Sequence, residues 1–149
     1  LPTGSCPGNS ALAFTATPAL SNVPLAGVTA TAITGVDATS DSTVAFVTYT
    51  GTGGVLPMYQ LSSTGAGTLG SVPLAVTSSG TPVAPVAGVF SADNSTFFVG
   101  TSGDNQVHLI NRSTLTDNPA KAIAPKLPGV NGGIATPNLI VQRPRKSLS

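Results

Sequence analysis

Apolar residues come in short runs that alternate with polar ones and stop at clusters of Gly, Asn, Asp and Ser. Between residues 96 and 101, Phe97, Val99 and Thr101 alternate with Phe98 and Gly100, a period of two that gives a strand two distinct faces. From 106 to 111, Val107 and Leu109 on one side and Ile110 on the other are apolar, with His108 the exception, as expected of a strand covered on both faces. Asp93-Asn94-Ser95 precedes the first run, and Gly103-Asp104-Asn105 separates the two. Asp and Asn side chains bond their own backbone in such turns, and Gly and Asn accept positive φ, so both clusters are turn signals. Adding the runs at 85–90 and 120–125 predicts four short strands. Pro119 and Pro125 then belong at a sheet edge, where no ladder donor is lost.

The pattern recurs along the chain. Gly35 through Val47 matches Gly88 through Gly100 at an offset of 53. Met58-Tyr59-Gln60-Leu61 matches Val107-His108-Leu109-Ile110 at 49, and Val23-Pro24-Leu25-Ala26 recurs as Val72-Pro73-Leu74-Ala75 at 49. Ile123-Ala124-Pro125 is a third copy of that last motif. Matches in one order define a repeat of about 50 residues, and a repeated four-stranded unit of about that length is the signature of a β-propeller blade. The fold class expected is therefore all-β, with propeller-type blades made of four-stranded antiparallel sheets, about three in this chain. The organisation expected is a partial blade at 11–34, blades at 35–75 and 85–127, one strand of a further blade at 134–142, and a basic tail at 143–149.

These residues carry a family resemblance. Phe90-Ser91-Ala92-Asp93-Asn94-Ser95-Thr96-Phe97-Phe98-Val99-Gly100-Thr101 resembles the turn-and-strand unit of YVTN-type propeller repeats, and Asp104-Asn105-Gln106-Val107-His108-Leu109-Ile110-Asn111 resembles the strand that follows it. Phe46-Val47-Thr48-Tyr49 is similar to the same motif, with Ser40-Asp41-Ser42 as its turn. The resemblance spans residues 35–127 and implies a bacterial surface-layer or lactonase-like propeller, secreted or held at the cell surface. It is specific for fold and carries no catalytic residue onto this chain.

A closed propeller needs about four to eight blades. Three sheets leave two large apolar faces uncovered, so the expected partners are further copies of the chain, as a homo-oligomer or filament, or the remainder of a longer propeller. The start at Leu1-Pro2-Thr3 reads as a mature or processed piece.

Composition narrows the picture further. Charged residues make up 7% of the chain, all five acids are Asp, Ser and Thr number 36, and Gly and Pro number 17 and 13. Helix bundles and coiled coils need stocks of Glu and Lys that are missing here. Six basic residues against five acidic ones give no basic face for a nucleic acid. Every apolar run is interrupted well short of the roughly 18 residues that a membrane helix needs. Arg143, Arg145 and Lys146 hold half the basic residues and read as a solvated tail able to touch a glycan or the cell surface. Cys6, the single cysteine, has no intramolecular partner and stands open as a free, bridged or lipid-bearing thiol.

The chemistry-bearing residues are few. Asp37, Asp41 and Asp93 sit at inter-strand turns and are expected to serve those turns. Gly51-Thr52-Gly53-Gly54 and Gly65-Ala66-Gly67 lack the Gly-Lys-Ser/Thr of a phosphate cradle and read as loops. A single histidine cannot build a His-rich metal site, and no Gly-x-Ser-x-Gly elbow exposes a nucleophile, so no metal, cofactor or catalytic residue is expected. If a ligand binds over a central channel, loops 50–56 and 102–106 face it. Asp104, Asn105 and His108 are then the candidate ligand-binding residues, with His108 expected to be a packed, hydrogen-bonded structural histidine. The function expected is a non-catalytic structural or interaction module; the alternative is a lactonase-like hydrolase or a ligand- or glycan-binding propeller.

Overall fold

The computed structural model describes Leu25 and residues 27–61, 67–126 and 135–142. They fold as two four-stranded antiparallel meanders. The first sheet is β1 (Thr29–Ala38), β2 (Val44–Thr52), β3 (Val55–Leu61) and β4 (Gly67–Pro73), in that order. The second is β5 (Ala84–Phe90), β6 (Thr96–Ser102), β7 (Val107–Asn111) and the short β8 (Thr116–Asp117). The all-β architecture expected from the alternating pattern is present, as are two four-stranded sheets.

Equivalent turns join the first two strands of each sheet. In one, the Asp41 carboxylate accepts from the Thr43 amide at 3.1 Å and from the Thr39 and Thr43 hydroxyls at 2.5 and 2.7 Å. In the other, Asp93 accepts from the Ser95 amide at 3.1 Å and from the Ser91 and Ser95 hydroxyls at 2.6 and 2.9 Å. Ser42 and Asn94 follow the aspartates with φ near 55° and 56°, a left-handed position that a short polar side chain tolerates. This equivalence fixes the structural repeat at 52 residues, one less than the offset of 53 that aligned Asp41 with Asn94.

Three boundaries differ from the sequence expectation. Residues 29–34 form the start of β1, so they belong to the first full sheet and not to a preceding blade; residues 11–24 lie outside the described residues. The fourth strand expected at 120–125 is split: β8 pairs with β7 at Ile110 and Asn111, a 3-10 turn at Pro119–Lys121 follows, and Ile123 returns to bridge Val107. Pro119 explains the split, since it offers no ladder donor and its fixed φ suits the first turn of a helix. Residues 135–142 form no strand or ladder where a strand was expected at 134–142.

The sheets meet face to face through an aromatic and aliphatic core. Val44, Phe46, Leu56, Met58 and Val72 of the first sheet are buried against Phe90, Phe97, Val99 and Ile110 of the second. Phe46 sits at ring-centroid distances of 5.4 Å from Phe90 and 4.8 Å from Phe97. Polar links lace the same interface: Asp37 accepts from the Phe90 amide at 2.8 Å, and the Asn94 amide group donates to Ser40 Oγ at 2.6 Å.

The two sheets use opposite faces. The ladder row Asp37, Phe46, Met58 corresponds to Val89, Phe98, Leu109. Phe46 is therefore the counterpart of Phe98, whereas its contact partners Phe90 and Phe97 are counterparts of Ala38 and Ala45. A face of one kind on the first sheet meets a face of the other kind on the second. Such a contact is head-to-tail, and it turns the complementary face of each sheet outward.

Candidate functional site

The inter-sheet space is apolar around Phe46 and polar at its other end, where the His108 side chain is enclosed. Val99 and Ile110 place His108 on the same face of the second sheet, because residues two apart on β7, and partners across the ladder, share a face. His108 Nε2 lies 2.8 Å from Asp104 Oδ2 and its Nδ1 lies 2.6 Å from Asp117 Oδ2. The side chains of all three are at most 1% exposed.

Neighbours hold both carboxylates. Asp104 Oδ2 also accepts from Thr77 Oγ1 at 3.0 Å, and its Oδ1 accepts from Thr101 Oγ1 and, at 3.4 Å, from the Gln106 amide. Gly103 and Asn105, at φ 94° and 57°, shape the hairpin that turns Asp104 inward. Asp117 Oδ2 accepts from the Ala75 amide at 2.8 Å, while its buried Oδ1 has no hydrogen-bond partner. Thr77 and Ala75 belong to the chain between β4 and β5, so the network ties the inter-sheet connection to the second sheet.

The electrostatics follow from geometry. A carboxylate has no hydrogen to donate, so each ring nitrogen must donate, which requires the imidazolium form. Burial opposes that charge, but hydrogen bonds and Coulomb attraction from Asp117 and Asp104 outweigh it and raise the His108 pKa above its ordinary 6.5. At the turns, hydroxyl and amide donors stabilise the ionised aspartates. The Thr39 and Thr43 bonds, with Arg112 Nη2 at 2.7 Å, hold Asp41 well below the usual carboxylate range, and the Ser91 and Ser95 bonds lower Asp93 to about 2.

These shifts set a pH profile. The turn aspartates add stability above pH 3.8 that is lost as the pH falls through their lowered values. His108 adds stability that is fully present below pH 6.5 and is lost as the pH rises through its raised value. The thermal midpoint is therefore expected to hold a plateau between about pH 4 and 6.5 and to fall on both sides. Melting curves at constant ionic strength check this, and a midpoint still rising above the plateau would contradict it.

Of the candidate ligand-binding residues, Asp104 and His108 are brought together but enclosed, with their polar atoms engaged by protein groups. Asn105 points elsewhere: its Oδ1 accepts from Thr136 Oγ1 at 2.5 Å. Asp117, Thr77 and Thr101 complete the cluster and were not singled out in the sequence. The available signal was Asp117 itself, an acid in the ladder position that Leu69 fills in the first sheet. Among the described residues no group of three or more His, Cys, Asp or Glu stands in a metal-holding arrangement.

A cleft lies elsewhere. It has a volume of about 480 Å³ and is lined by Thr34 and Gly35 of β1, Val86 to Gly88 of β5, and Asn138 to Ile140. Thr34, Val86 and Asn138 are each 52 residues apart, as are Gly35, Ala87 and Leu139. The segment 135–142 thus meets the cleft as the first strands of both sheets do. Pro137, the counterpart of Pro85, lies against Gly100 on the outer face of β6, where any Cβ would overlap its carbonyl. Thr48, Thr50 and Thr136 complete the lining, which among the described residues holds no titratable side chain.

No protein-family model, curated protein or solved structure matches the chain. Among the described residues no helix is long and apolar enough to cross a membrane, which leaves membrane β-barrels unaddressed.

Proposed function

We propose that the chain is a non-catalytic structural module of β-propeller type, exported to the cell surface or beyond, whose sheets are set radially about the cleft. The observation that carries the reading is the cleft lining: three segments spaced 52 residues apart converge on it. Successive first strands around one axis are how propeller blades are arranged. The head-to-tail packing of the two sheets supports the same reading, because it can be continued by a further sheet on either side. The cleft offers threonine, asparagine and apolar groups, none of which supplies the acid or base that lactone hydrolysis needs near neutral pH. The low charge and the Ser/Thr-rich turns suit an extracellular location.

A crystal structure of the protein and a lactone and ester hydrolysis screen test the reading together. The expected result is no turnover, with Pro137–Gln142 laddered as the first strand of a third sheet about the same cleft. Turnover abolished by changing Thr48 or Asn138 would overturn it. So would a two-sheet sandwich in which that segment stays unpaired.

A further inference from the structure

The outer face of the first sheet carries an apolar groove of about 210 Å³ lined by Val36, Ala45, Val47, Tyr59 and Leu69, with Leu25 of the preceding segment at its side. Val36 is 66% exposed and Leu69 37%. This is the face type that the second sheet uses, through Phe90, Phe97 and Val99, to receive the first. At the other end of the molecule, Leu139 and Val141 are each 76% exposed on a segment seated against the second sheet. Both ends therefore present apolar surface to water, an unfavourable arrangement for an isolated chain.

We propose that Leu139 and Val141 of one copy dock in the Val36–Leu69 groove of a second copy, so that chains add head to tail. This rests on the propeller-type reading and names who supplies the next sheet. The chain's own interface is the template. By the 52-residue repeat, Leu139 and Val141 are counterparts of Gly35 and Asp37, and Asp37 reaches the Phe90 amide at 2.8 Å in that interface. Within the chain, the first sheet meets Phe90 and Phe97 through Phe46; between copies, Leu139 and Val141 face Ala38 and Ala45, whose small side chains leave the groove open. The contact joins two different surfaces, so it leaves one groove and one Leu139–Val141 pair free at the ends and continues until the rotation closes.

The test uses two variants of the full chain, each changed at exposed positions so that folding is preserved. Leu139→Ser with Val141→Ser removes the inserting side chains, and Val36→Arg blocks the groove. Light scattering is expected to show wild-type assemblies larger than the 14.6 kDa chain, each variant alone as a monomer, and an equimolar mixture that stops at dimers. The dimer arises because one intact groove and one intact inserting pair remain between the two variants. Melting midpoints close to that of a dilute wild-type sample establish that both are folded. A monomeric wild type would overturn the proposal without touching the propeller reading, whose third sheet could come from a longer chain. Wild-type-sized assemblies of either variant, or a mixture without dimers, would also overturn it.

Discussion

Replacing His108 with alanine is expected to lower the unfolding free energy by about 3–5 kcal/mol, the usual consequence of removing one partner from a buried ion pair. The size follows from what remains. Asp104 and Asp117 face the ring from opposite sides, each within 2.8 Å of a ring nitrogen, and removing the ring leaves two enclosed carboxylates with no cation between them. Asp104 keeps its threonine and amide donors, whereas Asp117 keeps only the Ala75 amide on one oxygen and nothing on the other. Pairing His108→Ala with Asp117→Ala should then cost less than the two single changes added, because the second change removes the charge that the first stranded. Urea denaturation followed by circular dichroism measures all three. A second readout is specific to the ring: the alkaline fall of the thermal midpoint should disappear in His108→Ala, since the group that titrates is gone. A loss under about 1 kcal/mol, or an unchanged alkaline fall, would show that the ring is only packed.

That cluster was half legible in the sequence. Gly103-Asp104-Asn105 declared a hairpin, and the hairpin is what turns Asp104 inward onto His108, where the sequence had suggested only that both could meet a ligand. Asp117 did not, because its role depends on β7 meeting a two-residue strand and on Ala75, which is 42 residues away. The expected strand at 120–125 drew attention past Thr116–Asp117 to Ile123. Ile123 does bridge β7, but by one residue.

The repeat was legible and its register was not, for an instructive reason. Matching apolar residues aligned Val44 and Phe46 with Phe97 and Val99, all four buried. Those pairs lie on opposite faces of equivalent sheets. Each sheet buries the face turned to the other, so a hydrophobic match reports burial in this pair of sheets and slips the alignment by one residue. The turn aspartates carry the true register, because a side chain that bonds the amide two residues on has no freedom to slip. With the register corrected, Thr34, Val86 and Asn138 fall into line along the cleft, a relation that apolar matching could not reveal.

Phe46 is where the two sheets are most dependent on one side chain, and Phe46→Ala is expected to cost about 3–5 kcal/mol. The ring is fully buried. It packs nearly parallel to Phe90, with planes 24° apart, and tilted against Phe97, while those two meet edge to face at 4.9 Å. Truncation removes two of the three contacts in this trio, each worth about 0.5–1.5 kcal/mol beyond simple burial. It also leaves a cavity that rigid ladders on both sides cannot collapse to fill. Phe98 is the matched control. It holds the equivalent ladder position in the second sheet but is only half-buried on an outer face, so Phe98→Ala in the monomeric Val36→Arg background should cost under about half as much. Urea midpoints at equal slope separate the two. Equal losses would mean that the aromatic trio adds nothing beyond ordinary strand packing, and that the sheets are held chiefly by the polar links at Asp37, Asn94 and His108.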